Sequence, residues 1–177
     1  MVIPANFGEA YGFSGGSALV VIDGRGGFID KNGNVTIDPL YDWAEGFSEG
    51  LACVKSGGKY VFIDHTGKVI IDPDVNEARH FSEGFAAITK GDRQGFIDRS
   101  GQIVIEPAYK RVGDFSEGLA SVLVDGKWGY IDKTGQIKIE PQFRTAIKFT
   151  NGLALVEIDD KNWGYIDRKG MLVWKSK

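Results

Sequence analysis

A single spacing governs this chain. Phe-Ser pairs begin at Phe13, Phe47, Phe81 and Phe115, and a Phe-Thr pair at Phe149, each 34 residues after the last. Asp30, Asp64, Asp98, Asp132 and Asp167, each preceded by Ile, follow one another at 34, 34, 34 and 35 residues. Pro39, Pro73, Pro107 and Pro141 keep the same interval of 34. Three landmarks of different chemistry on one period mark a repeat array, in which a unit buries its apolar faces against its neighbours. Read from the Phe-Ser landmark, the units run 13–46, 47–80, 81–114, 115–148 and 149–177, after a partial repeat over 1–12. In that partial repeat Ile3, Phe7 and Ala10 take the places of Ile139, Phe143 and Ala146. The extra residue of the last interval falls in Glu157–Asn162, as a tip insertion would.

The longest stretch free of glycine and proline is 11 residues, Leu153–Trp163, so helices have almost nowhere to sit. Short β-branched or aromatic runs bounded by turn residues read as strands: Leu119–Val124, Trp128–Asp132 and Gln136–Glu140 in one unit. Asp125-Gly126, Gly91-Asp92 and Gly57-Gly58 predict tight hairpins between the first two strands. Asp132…Gly135 and its sisters predict turns in which the carboxylate caps amides and the glycine takes a positive φ. The proline is expected to stop the third strand, having no N–H to donate. Apolar positions three apart after it, such as Tyr109, Val112 and Phe115, predict one turn of 3₁₀ or α helix. Ala18, Ala52, Ala86, Ala120 and Ala154 share a strand face with β-branched residues, and the opposite face is bulky as well. A sheet apolar on both faces must be covered on both. The expected fold is therefore all-β: five tandem three-stranded antiparallel units stacked face to face as an open solenoid-like array. A five-bladed β-propeller is the alternative, although propeller blades usually have four strands.

The segments Lys127–Phe143 and Phe115–Ala120, reading KWGYIDKTGQIKIEPQF and FSEGLA, resemble the WG-repeat family, named for its Trp-Gly dipeptide. The resemblance runs from about Ile3 to Trp174. Only Trp128-Gly129 and Trp163-Gly164 keep the dipeptide; the other units have Gly26-Gly27, Tyr60-Val61 and Gln94-Gly95. The resemblance implies a bacterial-type repeat module that serves as an interaction scaffold, and it implies no enzyme.

Nothing in the residues points to catalysis or a cofactor. Asp30-Lys31-Asn32-Gly33-Asn34 has oxygens at alternate positions, as a calcium loop begins, but its sisters lack the further acids, so turn capping is preferred. Glu49, Glu83 and Glu117 recur in Ser-Glu-Gly, one per unit, which makes a ladder rather than the paired carboxylates of a glycosidase cleft. His65 and His80 have no companion ligands at metal spacing, and the lone Cys53 sits in a strand as filler. With 21 basic against 24 acidic residues, the chain lacks the excess that binding a phosphate backbone requires. The longest purely apolar run, Ala18–Ile22, is far too short for a membrane span, and no signal peptide is visible. A cytoplasmic location and a monomer are the expectations.

What remains is an edge. In a repeat array constant positions hold the core and variable ones face outward. The variable positions after the proline place Trp43, Arg79, His80, Lys110, Arg111, Arg144 and Lys148 on such an edge, and Trp and Arg are enriched at binding hot spots. The expected partner is a protein or peptide. A carbohydrate or cell-envelope ligand is the alternative, to be told apart by whether Trp128 and Trp163 form an accessible row, and a structural spacer is the third reading.

Overall fold

Glycine turns and short β-branched runs give twenty strands and, among the described residues, no helix. The computed structural model describes residues 8–176. The matches at Ile3 and Phe7 lie outside them. The strands form five four-stranded sheets built on antiparallel pairing. The first sheet contains β1 (Glu9–Ser14), β2 (Ser17–Ile22), β3 (Arg25–Asp30) and β4 (Val35–Tyr41), in that order. The second contains β5 (Trp43–Ala44), β6 (Ala52–Ser56), β7 (Lys59–Ile63) and β8 (Val69–Ile71). The third comprises β9 (Glu77–Ser82), β10 (Phe85–Lys90), β11 (Arg93–Asp98) and β12 (Ile103–Tyr109). The fourth comprises β13 (Arg111–Val112), β14 (Leu119–Val124), β15 (Lys127–Asp132) and β16 (Ile137–Phe143). The fifth comprises β17 (Thr145–Ala146), β18 (Leu153–Asp159), β19 (Asn162–Asp167) and β20 (Leu172–Lys175). The chain divides into two compact units, one reaching Ile88 and adding Asp98–Gln102, the other holding Thr89–Ile97 and everything from Ile103.

Three strands per unit is one too few. The segment expected to form a helical turn is instead an edge strand: Trp43 and Ala44 pair with Lys55 and Val54, and Arg111 and Val112 pair with Leu123 and Val122. Backbone amides left unpaired would be penalised, and a two-residue ladder satisfies them where a lone helical turn would not. The proline expectation also needs correction. Pro39, Pro107 and Pro141 lie inside β4, β12 and β16, at register shifts where Gly26 opposes Tyr41 while Phe28 opposes Ile37. The missing N–H is accommodated in a bulge rather than at a strand end. Only β8 stops before its proline, Pro73.

That bulge explains the glycine of the repeat. A Cβ on Gly129 would lie 2.5 Å from the Ile139 carbonyl oxygen and 2.7 Å from the Pro141 nitrogen, and Gly27 and Gly95 are equally crowded by backbone. The second sheet has Val61 there, and it is the sheet whose last strand, β8, ends at Ile71. The glycine is thus needed where the bulge doubles back, and the tryptophan beside it is optional.

Consecutive sheets within each compact unit meet in one recurring joint. Phe28 packs on Phe47 with ring centroids 4.8 Å apart, Phe62 on Phe81 at 4.8 Å, Phe96 on Phe115 at 4.7 Å and Tyr130 on Phe149 at 4.9 Å. The five alanines are all buried; Ala52 lies in a core shared by the first and second sheets, and Ala154 in one shared by the fourth and fifth. Gly67, Gly101, Gly135 and Gly170 pack on Ile37, Ile71, Ile105 and Ile139 of the preceding sheet. Polar bonds sit at the rim. Ser48 Oγ donates to the Phe81 carbonyl at 2.7 Å and Ser116 Oγ to that of Phe149 at 2.7 Å. The Glu49 carboxylate accepts the Gly84 amide at 3.0 Å, and Glu117 that of Gly152 at 2.9 Å. The Phe-Ser-Glu-Gly motif is therefore a clasp between sheets, and its glutamates hold a φ near +52° to +53° in its service.

Substituting Gly129→Ala is expected to destabilise the chain by about 1–3 kcal/mol in urea unfolding, the usual range for overpacking. Unchanged stability would contradict the bulge as the reason for glycine.

Candidate functional site

The edge strands carry the residues that differ from sheet to sheet. At one register position on β1, β5, β9, β13 and β17 stand Glu9, Trp43, Glu77, Arg111 and Thr145. Of the predicted edge residues, Lys110, Arg111, Arg144 and Lys148 are exposed, and Arg79 and His80 are half-buried. Lys110 Nζ is 3.6 Å from Asp92, and Arg144 bonds Asp160. Such exposed pairs contribute little to stability, so these cations remain available to a ligand.

Two of the predicted residues come together in the first compact unit. Trp43, 39% exposed, packs edge-on against Tyr60 at 5.6 Å, and with His80 it lines a groove of about 410 Å³. Tyr11, Leu19, Ala44 and Glu45 complete the lining. The His80 amide donates to Glu45 Oε2 at 2.7 Å and its Nδ1 lies 3.1 Å from the same oxygen, so one carboxylate fixes both ends of that residue. A second depression of about 190 Å³, sharing Tyr11, Leu19, Trp43 and Ala44, extends along Glu9, Gly26 and Asp42. The Tyr11 hydroxyl donates to Glu9 at 2.7 Å, and Arg25 reaches Asp42 at 3.1 Å. The hydrogen bond to Glu9 raises the Tyr11 phenol above its ordinary value. Desolvation, then the charges of Glu77, Cys53 and Glu45, does the same to Tyr60.

Sequence reasoning missed Tyr11 and the slot at Gly26. The available signal was Gly26 itself, standing where sister units hold Tyr60, Gln94, Trp128 and Trp163.

In the second compact unit a depression of about 530 Å³ is lined by Gly118, Leu119, Asp132, Lys138, Arg168 and Lys169, where Lys138 pairs with Asp132 at 3.0 Å. Arg168 and Lys169 are solvated.

The recurrent aspartates are spent on their own turns. Asp64 Oδ1 accepts the Thr66 amide at 2.8 Å, the Thr66 hydroxyl at 2.6 Å and the Lys68 amide at 3.2 Å, and Asp30, Asp98, Asp132 and Asp167 cap likewise. The glycine closing each turn has φ between +81° and +86°. Among the described residues no three of His, Cys, Asp and Glu are grouped to hold a metal. Cys53 is buried, donates to the Ala78 carbonyl at 3.4 Å, and has its thiol pushed up by burial, the opposite of nucleophile activation.

The signature of the WG containing repeat matches residues 1–25, 27–60, 62–93, 95–128 and 128–161. The chain belongs to the WG-containing repeat family. No curated protein matches it in sequence. Among solved structures, this WG-repeat chain is similar to the computationally designed Ika8 protein, at TM-score 0.65 and 13% identity over 93% of this chain and 60% of that one. It is similar to Hsv2 of Kluyveromyces lactis, at 0.60 and 12% over 92% and 60%. BamB from Moraxella catarrhalis follows at 0.52 and 13% over 93% and 59%. The similar structures are propeller-like, so the WG repeats share a fold with them, while spanning about three-fifths of their lengths.

The caps make a pH prediction. Hydrogen bonds from Thr66, Ser100 and Thr134 hydroxyls, and from the Asn34 side chain to Asp30, hold four carboxyls below their ordinary 3.8. A depressed folded-state value stabilises above the unfolded value and is lost as pH falls. The urea midpoint is expected to be level above about pH 5 and to drop below about pH 4, with a shallower drop in Asp64→Asn/Asp98→Asn. Parallel profiles for the two proteins would contradict capping.

Proposed function

We propose that this WG-repeat chain is a non-catalytic scaffold that binds a protein or peptide through the variable edge strands of its sheets. The observation that carries the reading is the division of labour within each sheet. Motif residues such as Phe81, Phe149 and Ala120 are buried and spent on the joints, while Glu9, Trp43, Arg111 and Thr145 sit on edge strands and differ in chemistry. Four strands per sheet is the strand count of propeller blades, which favours propeller-type blades over solenoid plates.

Sugar binding would be favoured by a row of open rings at the Trp-Gly position. Trp128 instead is half-buried and packs against the core shared by the fourth and fifth sheets, Trp163 is 38% exposed, and Gly26 has no ring. This pattern favours the peptide reading.

Panning a displayed peptide library on the folded protein tests the proposal. Expected is enrichment of peptides whose capture falls at least tenfold in Trp43→Ala or in Arg111→Ala/Arg144→Ala, with melting temperatures unchanged. No enrichment, as a spacer would give, or capture indifferent to every edge substitution, would overturn it.

A further inference from the structure

In the fourth sheet the residue before the repeat glycine is Trp128, which packs with Ala146 of the next edge strand on a common core. Gly26 holds the same register position in the first sheet, opposite Val21 as Trp128 is opposite Leu123. A Cβ there would touch the Ala44 methyl at 3.1 Å, so Ala44 must yield by a few tenths of an ångström to a side chain rooted at this position, with Leu19 Cδ1 at 3.5 Å. Ala44 is the counterpart of Ala146. The depression of about 190 Å³ above Gly26 is thus the place of a ring this unit does not supply. Its walls are themselves aromatic, Tyr11 and Trp43, and both line the adjoining groove of about 410 Å³.

The rim keeps an acidic excess. Glu9, Asp42 and Glu45 border the two depressions; Arg25 pairs with Asp42, His80 bonds Glu45, and the Lys55 ammonium lies 5.2 Å over the Tyr60 ring beside Trp43. An exposed indole beside carboxylates attracts cations, through its π face and through their charge. From these two features we infer that the groove over Gly26 takes a peptide segment in which an aromatic side chain adjoins a lysine or arginine. The ring enters the Gly26 slot between Tyr11 and Trp43, against Ala44 and Leu19. The neighbouring cation lies among Glu9, Asp42 and Glu45. A neutral sugar would gain the ring contact and nothing from the carboxylates.

This inference rests on the edge-binding reading and narrows it to one slot. The test uses the whole chain, isotopically labelled, titrated with the amides of Lys-Trp-Lys and Glu-Trp-Glu and with maltohexaose. Lys-Trp-Lys is expected to shift the resonances of Tyr11, Trp43 and Ala44, and to bind at least tenfold more tightly than Glu-Trp-Glu or the sugar. The decisive variant is Gly26→Trp. It fills the slot with the ring that the fourth sheet already accommodates beside Ala146, and it should abolish those shifts. Asp42→Asn/Glu45→Gln, which keeps the ring contact, should weaken Lys-Trp-Lys at least fivefold and leave Glu-Trp-Glu no weaker. Equal binding of the two peptides, preference for the sugar, or full affinity in Gly26→Trp would overturn the inference. Shifts confined to Arg111, Arg144 and Lys148 would overturn it while leaving the edge-binding proposal standing. No shift with any probe, together with an empty library selection, would remove both.

Discussion

Stacking of one sheet on the next is the contact on which everything else here depends. No sheet could stand alone: each is apolar on both faces, and a few short strands bury too little by themselves. The joint solves this with the same parts each time. One ring from the residue after the repeat-glycine position meets the motif phenylalanine of the following sheet, an isoleucine meets a turn glycine, and serine and glutamate fasten the rim. Fully burying one such phenylalanine is worth roughly 1.5–3 kcal/mol, more than an exposed ion pair at about 0–1 kcal/mol. Apolar burial therefore carries the joint, and the polar clasp aligns it.

The clasp also gives the most suggestive residues a structural part. Glutamates recurring at fixed spacing invite a catalytic reading, but Glu49 and Glu117 each accept an amide of the next sheet's turn. The aspartates that resemble the start of a calcium loop are engaged with amides two and four residues on. Once these groups are accounted for, the chemistry left over lies on the edge strands, where no joint dictates the residue. This is why a binding surface is sought at Trp43 and Gly26 rather than at the repeated acids.

Much of the fold was legible in the sequence because its causes are local or periodic. Asp-Gly hairpins, glycine-terminated aspartate turns and the buried alanines follow from turn chemistry and from two-faced strands, and the structure places them so. The edge strand escaped because two residues, such as Trp43 and Ala44, are too few to display an alternation, and Tyr109, Val112 and Phe115 happen to repeat at helical spacing. The bulge escaped because a proline inside a strand looks like its end until the close approach of Gly129 is seen. The serine and glutamate contacts reach partners 33 and 35 residues away, one residue either side of the 34-residue period, a relation that a single chain hides until its sheets are stacked. The candidate groove was half visible: Trp43 and His80 stood out as variable, whereas Tyr11 lay in the partial repeat and Gly26 registered only as a missing tryptophan.

The joint itself is best tested by a double-mutant cycle at Tyr130 and Phe149, whose rings lie 4.9 Å apart across the fourth and fifth sheets. Stabilities of Tyr130→Leu, Phe149→Leu and the double variant would be measured by urea unfolding. Direct ring contact predicts a coupling of about 0.5–1.5 kcal/mol between the two substitutions. Strictly additive losses would mean that the two sheets are not held together in this way.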